Sequence, residues 1–321
     1  MCPIHSELIE EISKLSKMKE LDLDNFIKMV KPMNWIDGGH YDYIKKMREH
    51  VSQLSTKKQI ELCLKVLEHV DLTSLKGTES HEEITELCEK AAKTYQKGKK
   101  TWNTAAVCVT PNKAQDAIKA LDKLNMRDSV KVASVAGDFP AASLPLEDRL
   151  AEIRLVVEYG VDEVDIVINR KLAIDHKWTE LYDELKQVRQ ACGNKKMKTI
   201  LAVGDLPGYF EIYFASIIAM LAGTDFIKTS TGKEAINAEL KFGLIMCHAI
   251  IHYHTATGRK VGLKPAGGIS SPLEAATWLE MTQFKLGTDW MKTEMFRIGA
   301  SKLVDKILEF VDTEFKSTKD Y

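Results

Sequence analysis

Excess charge of one sign is the first thing missing from this 321-residue chain. Its 45 basic and 46 acidic side chains leave a formal charge of -1, which gives no electrostatic case for nucleic acid or an anionic membrane as the main partner. Long apolar runs are missing too. No stretch approaches the roughly 18 apolar residues of a membrane helix, and "IIAMLAG" (Ile217 to Gly223) is far too short. The amino terminus is charged and carries no apolar core of the secretory kind, so no leader is expected. The six cysteines (Cys2, Cys63, Cys88, Cys108, Cys192 and Cys247) form no C-x-x-C pair and mostly sit in apolar runs. Reduced thiols in a cytoplasmic or nuclear protein are the expectation.

Low-complexity tracts and sequence repeats are absent, and two nucleotide or metal signatures fail. "TGKE" lacks the G-x-x-x-x-G-K-[ST] spacing, with Glu234 where Ser or Thr should stand. "HAIIHYH" puts His248 and His252 on one helix face, with His254 beside them, but no acidic ligand or H-E-x-x-H accompanies them; no metal is expected. Trp102, Trp178, Trp278 and Trp290 show no stacking pattern and read as core.

What is present is an ordinary globular composition, 45% apolar and 28% charged. Residues 1–65 read as helices: "ELIEEISKLSKM", "YIKKMREHVSQL" and "TKKQIELCLKVLEHV" place apolar residues at three- and four-residue steps, with Pro32 and Gly38-Gly39 as punctuation and Thr56 as an expected cap. From Val70 the pattern changes. Eight short strand-like runs begin near Val70, Asn103, Val130, Val161, Met197, Thr224, Lys260 and Phe296, with helical segments such as "PLEDRLAEIRLVVEYG" between them. Strand then helix, repeated eight times, predicts a (β/α)8 TIM barrel over residues 66–310. The helical extension lies before it, and the polar stretch 311–321 reads as a flexible tail.

Barrel strands bury alternate side chains. That phase turns Phe226 and Lys228 inward and Ile227 outward; Gly262 and Lys264 inward and Val261 and Leu263 outward; Asp165 inward and Val164, Ile166 and Ile168 outward; and it puts Lys198 in phase with Ile200. A lone strand-end lysine can snorkel to solvent. Three lysines and an aspartate converging in one interior call for chemistry, because a buried ammonium is costly. Two neighbouring ammonium groups disfavour each other's charge, so one can be a neutral amine near pH 7, able to attack a carbonyl. The resulting iminium draws electrons from an adjacent carbon–carbon bond, and a carboxylate can move the proton. Glycine-rich turns after strands six, seven and eight ("TSTGK", "PAGGIS" and "IGAS") suit an anion, and Lys233 adds a cation.

"DFIKTSTGKE", "VGLKPAGGI", "DEVDIVIN", "NTAAVCVTP" and "FRIGAS" together resemble the deoxyribose-phosphate aldolase family, in its eukaryotic form with an amino-terminal extension, across roughly Val70 to Leu303. The resemblance implies a barrel enzyme with no cofactor and no metal. It would cleave 2-deoxy-D-ribose 5-phosphate reversibly to D-glyceraldehyde 3-phosphate and acetaldehyde, in deoxyribonucleotide catabolism. It implies Lys228 as the Schiff-base lysine, Lys264 as the second lysine and Asp165 as the relay aspartate. Lys198, Asp71, Cys108 and Thr229 fall to the substrate pocket, and Gly232, Lys233, Gly267, Gly268, Gly299 and Ser301 to the phosphate. It implies a small phosphorylated sugar as partner and a homodimer. Ser270 stands where many members have arginine, Lys302 where Ser or Thr is usual, Asp138 and Ala142 in a turn that is commonly less acidic, and Asp205 where Glu is typical; Tyr321 matches a terminal tyrosine. Two alternatives remain open: a catalytically silent barrel used as a scaffold, and a Schiff-base aldolase or transaldolase for another phosphorylated aldehyde.

Overall fold

A computed structural model describes residues 3–18, 23–30 and 38–317; Cys2, Pro32 and Tyr321 lie outside them. Eight parallel strands carry the fold: β1 (Val70–Thr73), β2 (Ala106–Val109), β3 (Lys131–Ala136), β4 (Glu163–Val167), β5 (Lys196–Ile200), β6 (Phe226–Lys228), β7 (Gly262–Lys264) and β8 (Ile298–Ala300). Seven fall within the runs read from the sequence, and β5 starts one residue before its run, at Lys196 rather than Met197. Each pairs with its sequence neighbour from β1 to β7, and β8 pairs back onto β1. Parallel bridges Leu263–Phe296 and Ala266–Gly299 join β7 to β8 and close the ring. The chain therefore forms a (β/α)8 barrel preceded by helices.

The outer layer comprises α5 (His81–Ala92), α6 (Ala114–Lys123), α7 (Leu146–Glu158), α8 (Arg170–Ile174), α9 (Trp178–Cys192), α10 (Tyr209–Ala222), α11 (Leu240–Thr257), α12 (Pro272–Leu286) and α13 (Leu303–Ser317). Outward strand residues Val164, Ile166, Ile227 and Leu263 join the helices in one large apolar core. α5 starts on a capping box, Ser80 with Glu83.

Among the described residues four helices precede the barrel: α1 (Pro3–Leu15), α2 (Asp24–Val30), α3 (Gly38–Gln53) and α4 (Thr56–Glu68). Their buried Leu8, Ile12, Leu15, Phe26 and Val30 belong to the same core as the barrel. α1 packs on α11, α3 on α12, and α4 on α12 and α13. Phe26 meets Phe214 of α10 at 4.9 Å between ring centres. This cover explains why α10 is apolar on nearly every face: one side meets the barrel and the other the extension. The cap of α4 differs from the expectation. Ser55 holds the cap position and Thr56 is already helical, since either hydroxyl residue fits the pattern in sequence. Val311 to Ser317, read as tail, continue α13, and Val311 is buried in the core. A small antiparallel hairpin, Tyr95–Lys97 with Lys100–Trp102, was not anticipated.

Candidate active site

The strand phases bring the barrel's charged residues into a single buried cluster. Register sets Asp165 beside Lys198, and Lys228 beside Lys264. Lys228 Nζ donates to Asp165 Oδ2 at 2.8 Å. Lys264 Nζ donates to the same oxygen at 2.7 Å and to Asp71 Oδ2 at 2.5 Å. Lys198 Nζ reaches Asp71 at 2.9 Å, Asp165 at 3.0 Å and Glu163 at 2.6 Å. Arg297 continues the chain, donating to Asp71 at 2.6 Å and to Glu163 at 2.8 Å. Every member is at most 3% exposed, so these are charges held almost wholly by one another.

Burial affects the lysines differently. It pushes Lys228 below the ordinary lysine range; the Lys264 ammonium adds to this, and Asp165 only partly opposes it. The sequence reading assigned the effect to the neighbouring ammonium, whereas desolvation is the larger cause. Burial would lower Lys264 as well, but Asp165 and Asp71 overturn it and hold that ammonium above the usual range. Lys198, facing three carboxylates, is held well above it. Against burial, the lysines hold Asp165 far below the usual carboxylate range, and Lys198, Lys264 and Arg297 do the same for Asp71. Of these three lysines, Lys228 is thus the one driven toward the neutral amine.

Lys228 also opens onto a cavity of about 320 Å³. Gly232, Lys233, Gly267, Gly268, Gly299 and Ser301 all line it, as do Ser270 and Lys302. Gly232, Gly267 and Gly268 have φ of 87°, 86° and 79°, a region that disfavours side chains. α13 begins at Leu303, directly after Ser301 and Lys302, so its first amides also favour an anion here. In the "TSTGK" turn, the amides of Thr231, Gly232 and Lys233 donate to the Glu234 carboxylate, which fixes the loop.

The other predicted residues take different places. Cys108 is buried beside Ala133 and Val135, and burial, then Asp165, raises its thiol. Thr229 is buried and bonds Ala266 in both directions, at 3.2 and 3.0 Å, tying the two loops together; it does not line the cavity. Asp71 and Lys198 lie in the ion cluster rather than on the cavity wall. Asp205 pairs with Arg170 at 2.9 Å, and Asp138 caps the amides of Ser143 and Leu144. The three histidines part company: His252 bonds the Tyr213 hydroxyl at 2.8 Å, His248 faces the His40 ring and His254 faces Trp290. Among the described residues no group of metal-ligating side chains gathers, and no helix is long and apolar enough to cross a membrane. Glu163 and Arg297 went unread, although both share the inward phase of Asp165 and Gly299.

A barrel with a buried lysine–carboxylate cluster beneath a glycine-lined mouth defines an aldolase-type site. The chain belongs to the DeoC/LacD family of aldolases, whose profile it matches over residues 65–287. It is 42% identical over 288 residues to deoxyribose-phosphate aldolase of Homo sapiens, covering 86% of this chain and 90% of that protein. It is 47% identical over 252 residues to that of Bos taurus, covering 76% and 79%. The fold matches a solved Toxoplasma gondii chain at a TM-score of 0.71 and 20% identity, over 81% of this chain and 97% of that one. It also matches the deoxyribose phosphate aldolase of Aeropyrum pernix, described as tetrameric, at 0.55 and 23% identity, over 83% and 100%.

Proposed function

We propose that the chain is a Schiff-base aldolase that cleaves 2-deoxy-D-ribose 5-phosphate, a small phosphorylated sugar, to D-glyceraldehyde 3-phosphate and acetaldehyde. One observation carries the reading: a lysine depressed toward the neutral amine, 2.8 Å from a carboxylate, opens into a cavity lined by glycine turns. Lys228 Nζ attacks the C1 aldehyde of the open-chain sugar, and loss of water leaves an iminium. The C3 hydroxyl gives up its proton, and the C2–C3 bond breaks. Its electron pair runs into the iminium as an enamine, and glyceraldehyde 3-phosphate leaves. Protonation at C2 and hydrolysis release acetaldehyde and restore the amine. Asp165 and Lys264, bonded to each other at 2.7 Å, are the acid–base pair closest to Lys228. The turns carrying Gly232, Gly267, Gly268 and Ser301 take the phosphate, with Lys233 and Lys302 as cations on the same wall. Lys302 offers a positive charge where Ser270 supplies none.

The human and bovine relatives support this substrate by name. Buried unpaired thiols at Cys63, Cys88, Cys108, Cys192 and Cys247 support a reducing, cytoplasmic setting. A homodimer is proposed on the resemblance alone. The test is product analysis: the purified chain given 2-deoxyribose 5-phosphate should release glyceraldehyde 3-phosphate and acetaldehyde one to one. Cleavage of a different phosphorylated sugar in its place, or of none, would overturn the assignment.

A further inference from the structure

Arg297 and Glu163 touch the reactive cluster but not the substrate cavity, which neither of them lines. They close the other end of the barrel, on the wall of a second cavity of about 590 Å³. Lys131 and Lys196, the first residues of β3 and β5, line it too, so it lies at the strands' amino-terminal end. We propose that Arg297 and Glu163 are positioning residues that set the protonation state of Lys228 from the far end of the barrel. They would do so by fixing the charge of the cluster through Asp71 and Lys198. This rests on the imine reading above.

The cluster holds four basic groups (Lys198, Lys228, Lys264 and Arg297) and three acids (Asp71, Glu163 and Asp165). With all four cations charged, the buried set carries one positive charge more than it can neutralise. With Lys228 as the free amine, three cations meet three anions. A set removed from water favours the neutral count. Lys228 is the member that gives up its proton because it holds one carboxylate contact, whereas Lys264 holds two and Lys198 three. Two further buried groups stay uncharged and leave the count unchanged: the Cys108 thiol, which burial raises, and the His69 imidazole beside Arg297, which burial lowers. Lys233 and Lys302 face the same cavity from exposed loops, where water and salt screen them.

The count gives opposite signs for two substitutions. Arg297→Ala leaves two cations against three anions, so Lys228 regains its proton and the acid limb of kcat/KM moves to higher pH. Glu163→Gln leaves three cations against two anions, so the limb moves to lower pH. Arg297→Lys keeps the charge and should keep the midpoint.

The experiment measures kcat/KM against pH for the wild type and these three variants, with borohydride trapping of acetaldehyde at alkaline pH. Arg297→Ala should lose at least about tenfold at pH 7, one pH unit of midpoint shift, and recover toward the wild-type plateau when alkaline. Guanidinium ion at sub-denaturing concentration should restore part of the neutral rate, because the second cavity reaches the vacated place. Equal losses at every pH in Arg297→Ala and Glu163→Gln, with wild-type midpoints, would overturn the proposal and leave the pair as structural. If Arg297→Ala does not fold, the Glu163→Gln midpoint decides: it falls, or the proposal fails. Wild-type protein that traps no acetaldehyde would instead remove the imine reading on which this stands.

Discussion

Lys228, Lys264 and Lys198 have the same side chain, and their protonation differs only through their neighbours. Burial acts on all three, but Lys264 and Lys198 hold more carboxylate contacts and keep their protons. Replacing Lys264 removes a cation that holds Lys228 down while Asp165 stays. The Lys228 pKa then rises, and the acid limb of activity moves to higher pH. Lys264→Leu should lower kcat/KM at pH 7 by more than about tenfold, with part of the loss recovered when alkaline; a pH–rate profile checks this, and an unchanged profile would contradict it. Lys228, Lys264, Asp165 and Lys198 were legible because each sits in a strand whose alternation fixes its face. Glu163 and Arg297 obey the same alternation. They pair across 134 residues of sequence, and they were missed because no local pattern announces which inward charges meet.

At the level of single elements, strands and turns divide the work. The eight strand positions followed from short apolar runs, while the hairpin did not: "YQKGKKTW" is polar, its strands are three residues long, and its turn rests on Gly98 with φ of 60°. The phosphate turns were legible as glycines but not as geometry. Gly267 has a positive φ, and a Cβ there would lie 2.6 Å from Asn237 Oδ1. Gly267→Ala should cost about 1–3 kcal/mol of stability and raise KM for the phosphorylated sugar more than it lowers kcat. Thermal melting and steady-state kinetics check both effects; a wild-type KM would show that this turn does not hold the phosphate.

The whole molecule shares one core between the extension and the barrel. Leu8, Ile12, Leu15, Phe26, Val30 and Val51 are at most 1% exposed. Burial of such side chains is worth roughly 1.5–3 kcal/mol each, so six together rival a net stability of about 5–15 kcal/mol. Arg48 adds paired bonds to Glu274 on α12, at 3.1 and 2.9 Å. Removing residues 1–54 should therefore give a barrel that aggregates or melts well below the full chain, as light scattering and melting curves would show. A monomeric truncation with an unchanged Tm would contradict this. The helical character of this region was readable from periodicity. Its place on α10, α11 and α12 was not, because an amphipathic stripe does not name the surface it will cover.

Imine formation by Lys228 can be trapped on the protein itself. The protein is incubated with acetaldehyde, reduced with borohydride, digested and mapped by mass spectrometry. A stoichiometric two-carbon adduct on Lys228 is expected, lost in Lys228→Leu protein that keeps the wild-type fold. No adduct, or one spread over surface lysines, would contradict it and bring forward the reading of a catalytically silent barrel.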